Sequence, residues 1–168
     1  VSKAFTSEET PDLGPVVRPP PRLAPGEVRW VTPEGHAALR EGLDRLRAER
    51  AEAAALPEAE RAARVAGMDA RLAAAEATLA ALTPRGPEEA PPGEAGFACW
   101  VTVEEPSGAR RTWRLVGPDE ADGRRGLVSV HAPLGRALLG RRAGDEVEVQ
   151  RPGGEATLLV VAVHRSAP

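Results

Sequence analysis

Apolar residues recur along this chain in two different ways. Between positions 33 and 82 they fall at helical spacing, and from 97 to 163 they alternate with polar residues or gather in short blocks. Leu39, Leu43 and Leu46 are separated by four and three, and Val65, Met68, Leu72, Ala75, Leu79 and Leu82 continue three, four, three, four, three. That stepping is the a/d seam of a coiled coil. Thr32 is placed to cap the first helix, with Pro33 at its first position and Glu34 near the positive end of its dipole. Leu56-Pro57 interrupts the run, because proline removes a backbone donor and restricts the residue before it. Two helices of about 22–25 residues are therefore predicted to pair antiparallel as a hairpin ~33–37 Å long.

The later pattern has a different period. A β-branched run at 127–130 is followed by Pro133, which can open a short helix. Leu134, Leu138 and Leu139 would give that helix an apolar edge, and Gly140 can close it in the left-handed conformation. Val147 and Val149 alternate with Glu146 and Glu148, Pro152-Gly153-Gly154 reads as a turn, and 157–163 returns as a buried strand. A further strand is expected over 97–103, holding Cys99. The segments between these units are rich in proline. The expected organisation is a flexible tail over 1–30, the hairpin over 31–83, a linker over 84–96 and a small β domain over 97–168. Lys3-Ala4-Phe5 in the tail is a possible docking motif.

The segment Val116-Gly117-Pro118-Asp119-Glu120-Ala121-Asp122, together with 126–163 (GLVSVHAPLGRALLG and onward), resembles the C-terminal domain of the GreA/GreB transcript-cleavage factors. Ala132 stands where that family usually has Ser, and Gly135 where Ala is common. Val31-Thr32-Pro33-Glu34-Gly35 is similar to the family's T-x-E-G helix opening. The resemblance implies an α+β protein: an antiparallel helical hairpin followed by an antiparallel β domain similar to FK506-binding proteins, with one short helix. It also implies docking of the C-terminal domain at the rim of the secondary channel of bacterial RNA polymerase. The residues carried over for that contact are Asp119, Glu120, Asp122, His131, Pro133, Leu134 and Arg136, of which Pro133 and Leu134 could equally serve the core.

In such factors the hairpin tip carries an acidic motif, commonly GDLSENAEY, whose carboxylates help hold a metal at the polymerase active site. Clustered oxygens are what hard divalent cations require. This tip instead offers Glu49, Glu52, Glu58 and Glu60 interleaved with Arg50 and Arg61. Acids at 58 and 60 also suit a helix start. The arms are shorter than the family's by about ten residues each, which removes ~15 Å of reach.

Composition narrows the remaining classes. The net charge is −3, and no apolar run approaches the ~20 residues that span a bilayer. One cysteine excludes an internal disulfide and a cysteine zinc site. His36, His131 and His164 lack partners at catalytic or metal-binding spacing, and Gly153-Gly154 precedes a strand, so it is no phosphate loop. Prolyl isomerase activity is disfavoured by the scarcity of aromatics, with no Tyr in the chain. Arginine pairs at 110–111, 124–125 and 141–142 lie among acids, which suits a polar protein contact better than a phosphate track.

The expectation is a cytoplasmic, monomeric polymerase-binding elongation regulator without cofactor, metal or chemistry of its own. It would meet nucleic acid only through the elongation complex and would stimulate cleavage weakly. Two alternatives stand beside it: a cleavage factor using unconventional tip glutamates, and an interaction module unrelated to polymerase.

Overall fold

The computed structural model describes residues 28–151 and 154–168. Nearly all of the expected tail, including Lys3-Ala4-Phe5, and positions 152–153 of the expected turn lie outside the described residues.

The two expected helices are α1, Pro33–Ala54, and α2, Glu58–Ala81. Thr32 caps α1 as its sequence position suggested: the Gly35 N–H donates to Thr32 Oγ1 at 3.0 Å. The seam between the helices is thin. Leu43 and Ala53 are buried on α1, whereas no residue of α2 is fully buried. Cross-helix ion pairs supplement it, with Arg47 2.7 Å from Glu76 and Arg50 2.7 Å from Asp69. Exposed pairs of this kind contribute about 0–1 kcal/mol each.

Two short strands flank the hairpin, β1 (Arg29–Val31) before it and β2 (Leu82–Pro84) after it. They pair in parallel, Arg29 opposite Leu82 and Val31 opposite Pro84, so the arm leaves and re-enters the body through one clasp.

The C-terminal body consists of β3 (Trp100–Glu104), β4 (Arg110–Val116), β5 (Leu127–Ser129), the helix α3 (Pro133–Leu138), β6 (Glu146–Arg151) and β7 (Gly154–His164). The sheet order is β5-β4-β3-β7-β6, antiparallel except for the β4–β5 pair. Val101, Val103, Leu115, Val147, Val149, Leu158 and Val160 fill one face, and Leu138 of α3 closes over them. The fold class is the expected α+β, a helical hairpin followed by a small sheet with one short helix.

Several details depart from the expectation, beginning with β1, β2 and β4, which are not among the expected strands. The strand expected from 97 begins at Trp100, because Ala98 takes a left-handed φ of 64° and the chain turns there. Cys99 is buried all the same. The expected linker is packed: Pro87–Glu89 form a 3-10 turn and Ala90 and Ala95 are buried. Its backbone is tied down too, since the Ala95 N–H donates to Arg141 O and the Gly140 N–H to Ala95 O, each at 2.7 Å. Finally, β7 runs longer than 157–163 at both ends, because β6 and β3 pair with it along its length.

Candidate functional site

β4 ends at Val116, and Gly117-Pro118-Asp119-Glu120 turns back under the root of the hairpin. Asp119 receives two hydrogen bonds from Arg29 of β1, the Nε bond at 2.7 Å to Oδ2, and both side chains are about nine-tenths buried. Glu120 accepts from the Thr32 N–H at 2.8 Å and from the Thr32 hydroxyl. Thr32 is fully buried, so these bonds satisfy groups that water cannot reach. Two glycines make the approach possible. A Cβ on Gly35 would lie 1.8 Å from Glu120 Oε1, and one on Gly117 would lie 2.1 Å from the Trp30 carbonyl oxygen. Arg114 of β4 adds a third tie, 2.9 Å from Glu34 on α1. Partial burial works to raise the Glu34 carboxyl, but its backbone hydrogen bond, Arg114 and Thr32 outweigh it. The net effect holds Glu34 below the ordinary carboxylate value.

Aromatic contacts reinforce this joint. Trp30 meets the edge of Phe97 at 5.9 Å between ring centres, and the Arg85 guanidinium lies 4.0 Å over the Trp30 ring. The two stretches that carry the family resemblance, near 32 and near 120, are thus opposite halves of one contact.

Asp122 is also engaged within the chain. Its carboxylate accepts the Arg124 N–H at 3.0 Å, capping the 3-10 turn Gly123–Arg125, and its backbone exchanges two bonds with Leu127. Of the seven residues expected to contact a partner, the three acids therefore serve the chain's own architecture. Sequence reasoning missed this role, although the simultaneous presence of a T-x-E-G opening and a GPDE turn was the available signal.

The other four lie together. His131, Pro133, Leu134 and Arg136 occupy the turn into α3 and its first residues. Pro133 and Arg136 are exposed, whereas Leu134 is half-buried and packs against the core. His131 and Leu134 line an open groove of about 560 Å³ with Trp113, Pro118, Leu127 and Val128. Trp113 packs on the core, and its indole N–H is buried with no partner among the described residues. The two departures from the family pattern acquire physical meaning here. Ala132 caps α3 without any side-chain bond, where a Ser hydroxyl could accept one. Gly135 lets α3 press on β5, since a Cβ there would stand 2.0 Å from the Ser129 carbonyl oxygen.

At the hairpin tip Glu49 and Glu52 border a shallow hollow with Arg64 and Met68. Glu58 pairs with Arg61 at 2.8 Å, and Glu60 is exposed. Each carboxylate cluster at the tip therefore has an arginine beside it.

Comparison with known proteins agrees with the resemblance. The family profile described as "Transcription elongation factor, GreA/GreB, C-term" matches residues 90–165. The chain is 36% identical over 159 residues to transcription elongation factor GreB of Pseudomonas aeruginosa, an alignment covering 86% of this chain and 94% of that protein. GreB of Xanthomonas axonopodis is also 36% identical, over 162 residues covering 87% and 95%. GreA of Alkalilimnicola ehrlichii is 52% identical over 64 residues, covering 38% and 40%. Among solved structures, a GreA/GreB factor from Nitrosomonas europaea is 27% identical with a TM-score of 0.41, covering 82% of this chain and 98% of that one.

Proposed function

Because the chain belongs to the GreA/GreB family of transcription elongation factors, we propose that it regulates elongation by binding RNA polymerase through its C-terminal body. In this reading the body docks at the rim of the secondary channel and presents His131, Pro133, Leu134 and Arg136. Asp119 and Glu120 brace the hairpin behind that face, and the arm points into the channel. The protein acts as a monomer in the bacterial cytoplasm and meets RNA and DNA only within the elongation complex. It carries out no bond-making chemistry itself and stimulates transcript cleavage weakly.

The observation that supports weak stimulation is the pairing at the tip. Glu58 is bonded to Arg61, and Arg64 shares the hollow of Glu49 and Glu52. An arginine beside a carboxylate competes with a divalent cation for the same oxygens and opposes the cation's charge. The short arm adds to this, because α1 and α2 have 22 and 24 residues, and at ~1.5 Å per residue the arm reaches roughly 33–36 Å.

The test is RNA cleavage in a backtracked elongation complex containing a limiting amount of a genuine cleavage factor, with this protein titrated in. Cleavage that falls as the protein is added supports shared docking with an ineffective tip. Unchanged cleavage removes the docking proposal. A second reading, an active cleavage factor, draws on Glu49 and Glu52 facing one hollow; it requires that this protein alone accelerate cleavage and that Glu52→Ala with Glu58→Ala abolish the effect.

A further inference from the structure

Where the root of α1 meets the sheet, the two halves of the chain border an open cavity of about 550 Å³. Leu39 of α1 and Trp100 and Leu127 of the sheet are half-buried and supply its apolar wall. A hollow of this size between two structural units, with an apolar wall and a few convergent polar groups, is the usual form of a small-molecule site. The charges around it do not all cancel. Asp119 is neutralised by Arg29, and Glu34 by Arg114. Glu120 and Asp122 also line the cavity, but their bonds come from uncharged donors, the Thr32 N–H and hydroxyl and the Arg124 N–H. Their negative charges therefore persist, and each carboxylate keeps free lone pairs. Arg125 contributes the opposite sign: it lines the cavity, it is exposed, and no carboxylate among the described residues pairs with it.

Asp122 and Arg125 stand at the two ends of one 3-10 turn, the Arg125 N–H donating to Asp122 O at 3.1 Å. Both residues line the same cavity, yet their side chains form no ion pair with each other, so a group carrying both charges can enter between them. We infer that the cavity binds a free α-amino acid with an apolar side chain. Its carboxylate meets Arg125, its ammonium meets Asp122 and Glu120, and its side chain lies against Leu39, Trp100 and Leu127. A simple anion is opposed by the two uncompensated carboxylates, and a simple cation by Arg125. A charged side chain would lose its hydration against the apolar wall. Because the ligand touches α1 and the sheet at once, it adds a tie to the joint made by Glu120 and Thr32, and its binding stabilises the attachment of the arm. None of His131, Pro133, Leu134 and Arg136 lines this cavity, so filling it requires no polymerase.

The test is isothermal titration calorimetry of the full chain, without polymerase, using L-leucine and L-phenylalanine up to about 10 mM, a range that captures millimolar affinity. Two analogues of leucine accompany them: isocaproate, which lacks the ammonium, and isoamylamine, which lacks the carboxylate. Leucine is expected to bind saturably and to raise the unfolding temperature, and each analogue to bind at least about tenfold more weakly. Arg125→Ala and Asp122→Asn should each weaken leucine binding about tenfold or more, and Arg125→Lys should retain most of it. Arg124→Ala, at the neighbouring exposed arginine that does not line the cavity, should bind as the wild type does. Circular dichroism of each variant separates loss of the site from loss of the fold, and Asn at 122 keeps the oxygen that caps the turn. Absence of saturable binding by both amino acids overturns the inference. Binding that Arg125→Ala leaves intact overturns it as well, and so does isocaproate binding as tightly as leucine, which would make the cavity an anion site.

Discussion

Glu120 accepts both the backbone N–H and the hydroxyl of Thr32, joining residues 88 positions apart at the root of the helical arm. Thr32 in turn accepts the Gly35 N–H through the same hydroxyl oxygen. One carboxylate thus orients the residue that caps α1, so the arm's first turn and its attachment to the body depend on the same atoms. The neighbouring Arg29–Asp119 pair is nearly buried, and a pair in that setting is far more costly to break by removing one partner than it is worth intact.

Truncation at position 120 tests this joint directly. Glu120→Ala leaves the buried Thr32 donors without an acceptor, and the expected loss is about 1–3 kcal/mol. Glu120→Gln keeps one acceptor oxygen and should lose less. Urea unfolding of the two variants provides the comparison; a loss under ~0.5 kcal/mol for the alanine variant would contradict the joint.

A single substitution type should act with opposite signs at two glycines. Gly35→Ala puts a methyl where the Glu120 carboxylate sits and forces it off Thr32, with an expected cost of about 1–3 kcal/mol. Gly67→Ala, in the middle of α2 with open space around it, should stabilise by roughly 0.8–1 kcal/mol through helix propensity. Thermal unfolding of both proteins distinguishes a site of close approach from an unstrained helix position.

The Glu34–Arg114 tie makes part of the joint sensitive to acid. The folded carboxyl is held below its ordinary value of 4.5, so the folded state favours the charged form. The contribution is therefore complete above about pH 4.5 and is lost as pH falls through the lower folded value. The stability difference between wild type and Glu34→Gln should be present at neutral pH and shrink under acid. Because the Glu34 side chain is 68% exposed, the difference should be small. A difference that grows on acidification would contradict the assignment.

A hydroxyl at the start of α3 should stabilise that helix. Ala132→Ser supplies the missing N-cap acceptor, with an expected gain of about 0.5–1 kcal/mol in urea unfolding. No gain would mean that the turn from Ser129 already satisfies those donors.

The tip should be dispensable for attachment. Glu52→Ala combined with Glu58→Ala is expected to change affinity for polymerase by no more than about twofold, as for exposed charges distant from a contact. A large loss would move the contact from the body to the arm.

The helices were legible because their apolar positions repeat with a strict period and Leu56-Pro57 interrupts it. Of the strands, β6 was legible through the alternation of Val147 and Val149 with their glutamates and β3, β5 and β7 as short apolar runs, whereas β4, with Arg110, Arg111, Thr112 and Arg114 along it, gave no such signal. The clasp was not legible either, since β1 and β2 are three residues each and pair across the whole arm, leaving no local pattern. The packing of 84–96 was equally hidden: its prolines suggest a tether, while its order comes from bonds to Arg141 and Gly140 far along the chain. The acids of the GPDEAD stretch were visible as residues but not as contacts. A polar side chain turned inward toward a distant backbone N–H looks, in sequence, like one turned outward to a partner. His131, Pro133, Leu134 and Arg136 could be grouped because they are neighbours in sequence as well as in space.

The clasp has a consequence for how such a protein can change. The arm starts at Arg29–Val31 and ends at Leu82–Pro84, and adjacent strands stand only about 4.8 Å apart. Residues added to or deleted from both helices in matched turns alter nothing at those two anchor points. Arm length is therefore an independently adjustable dimension, and reach can be reset by whole heptads while the body and its face stay as they are.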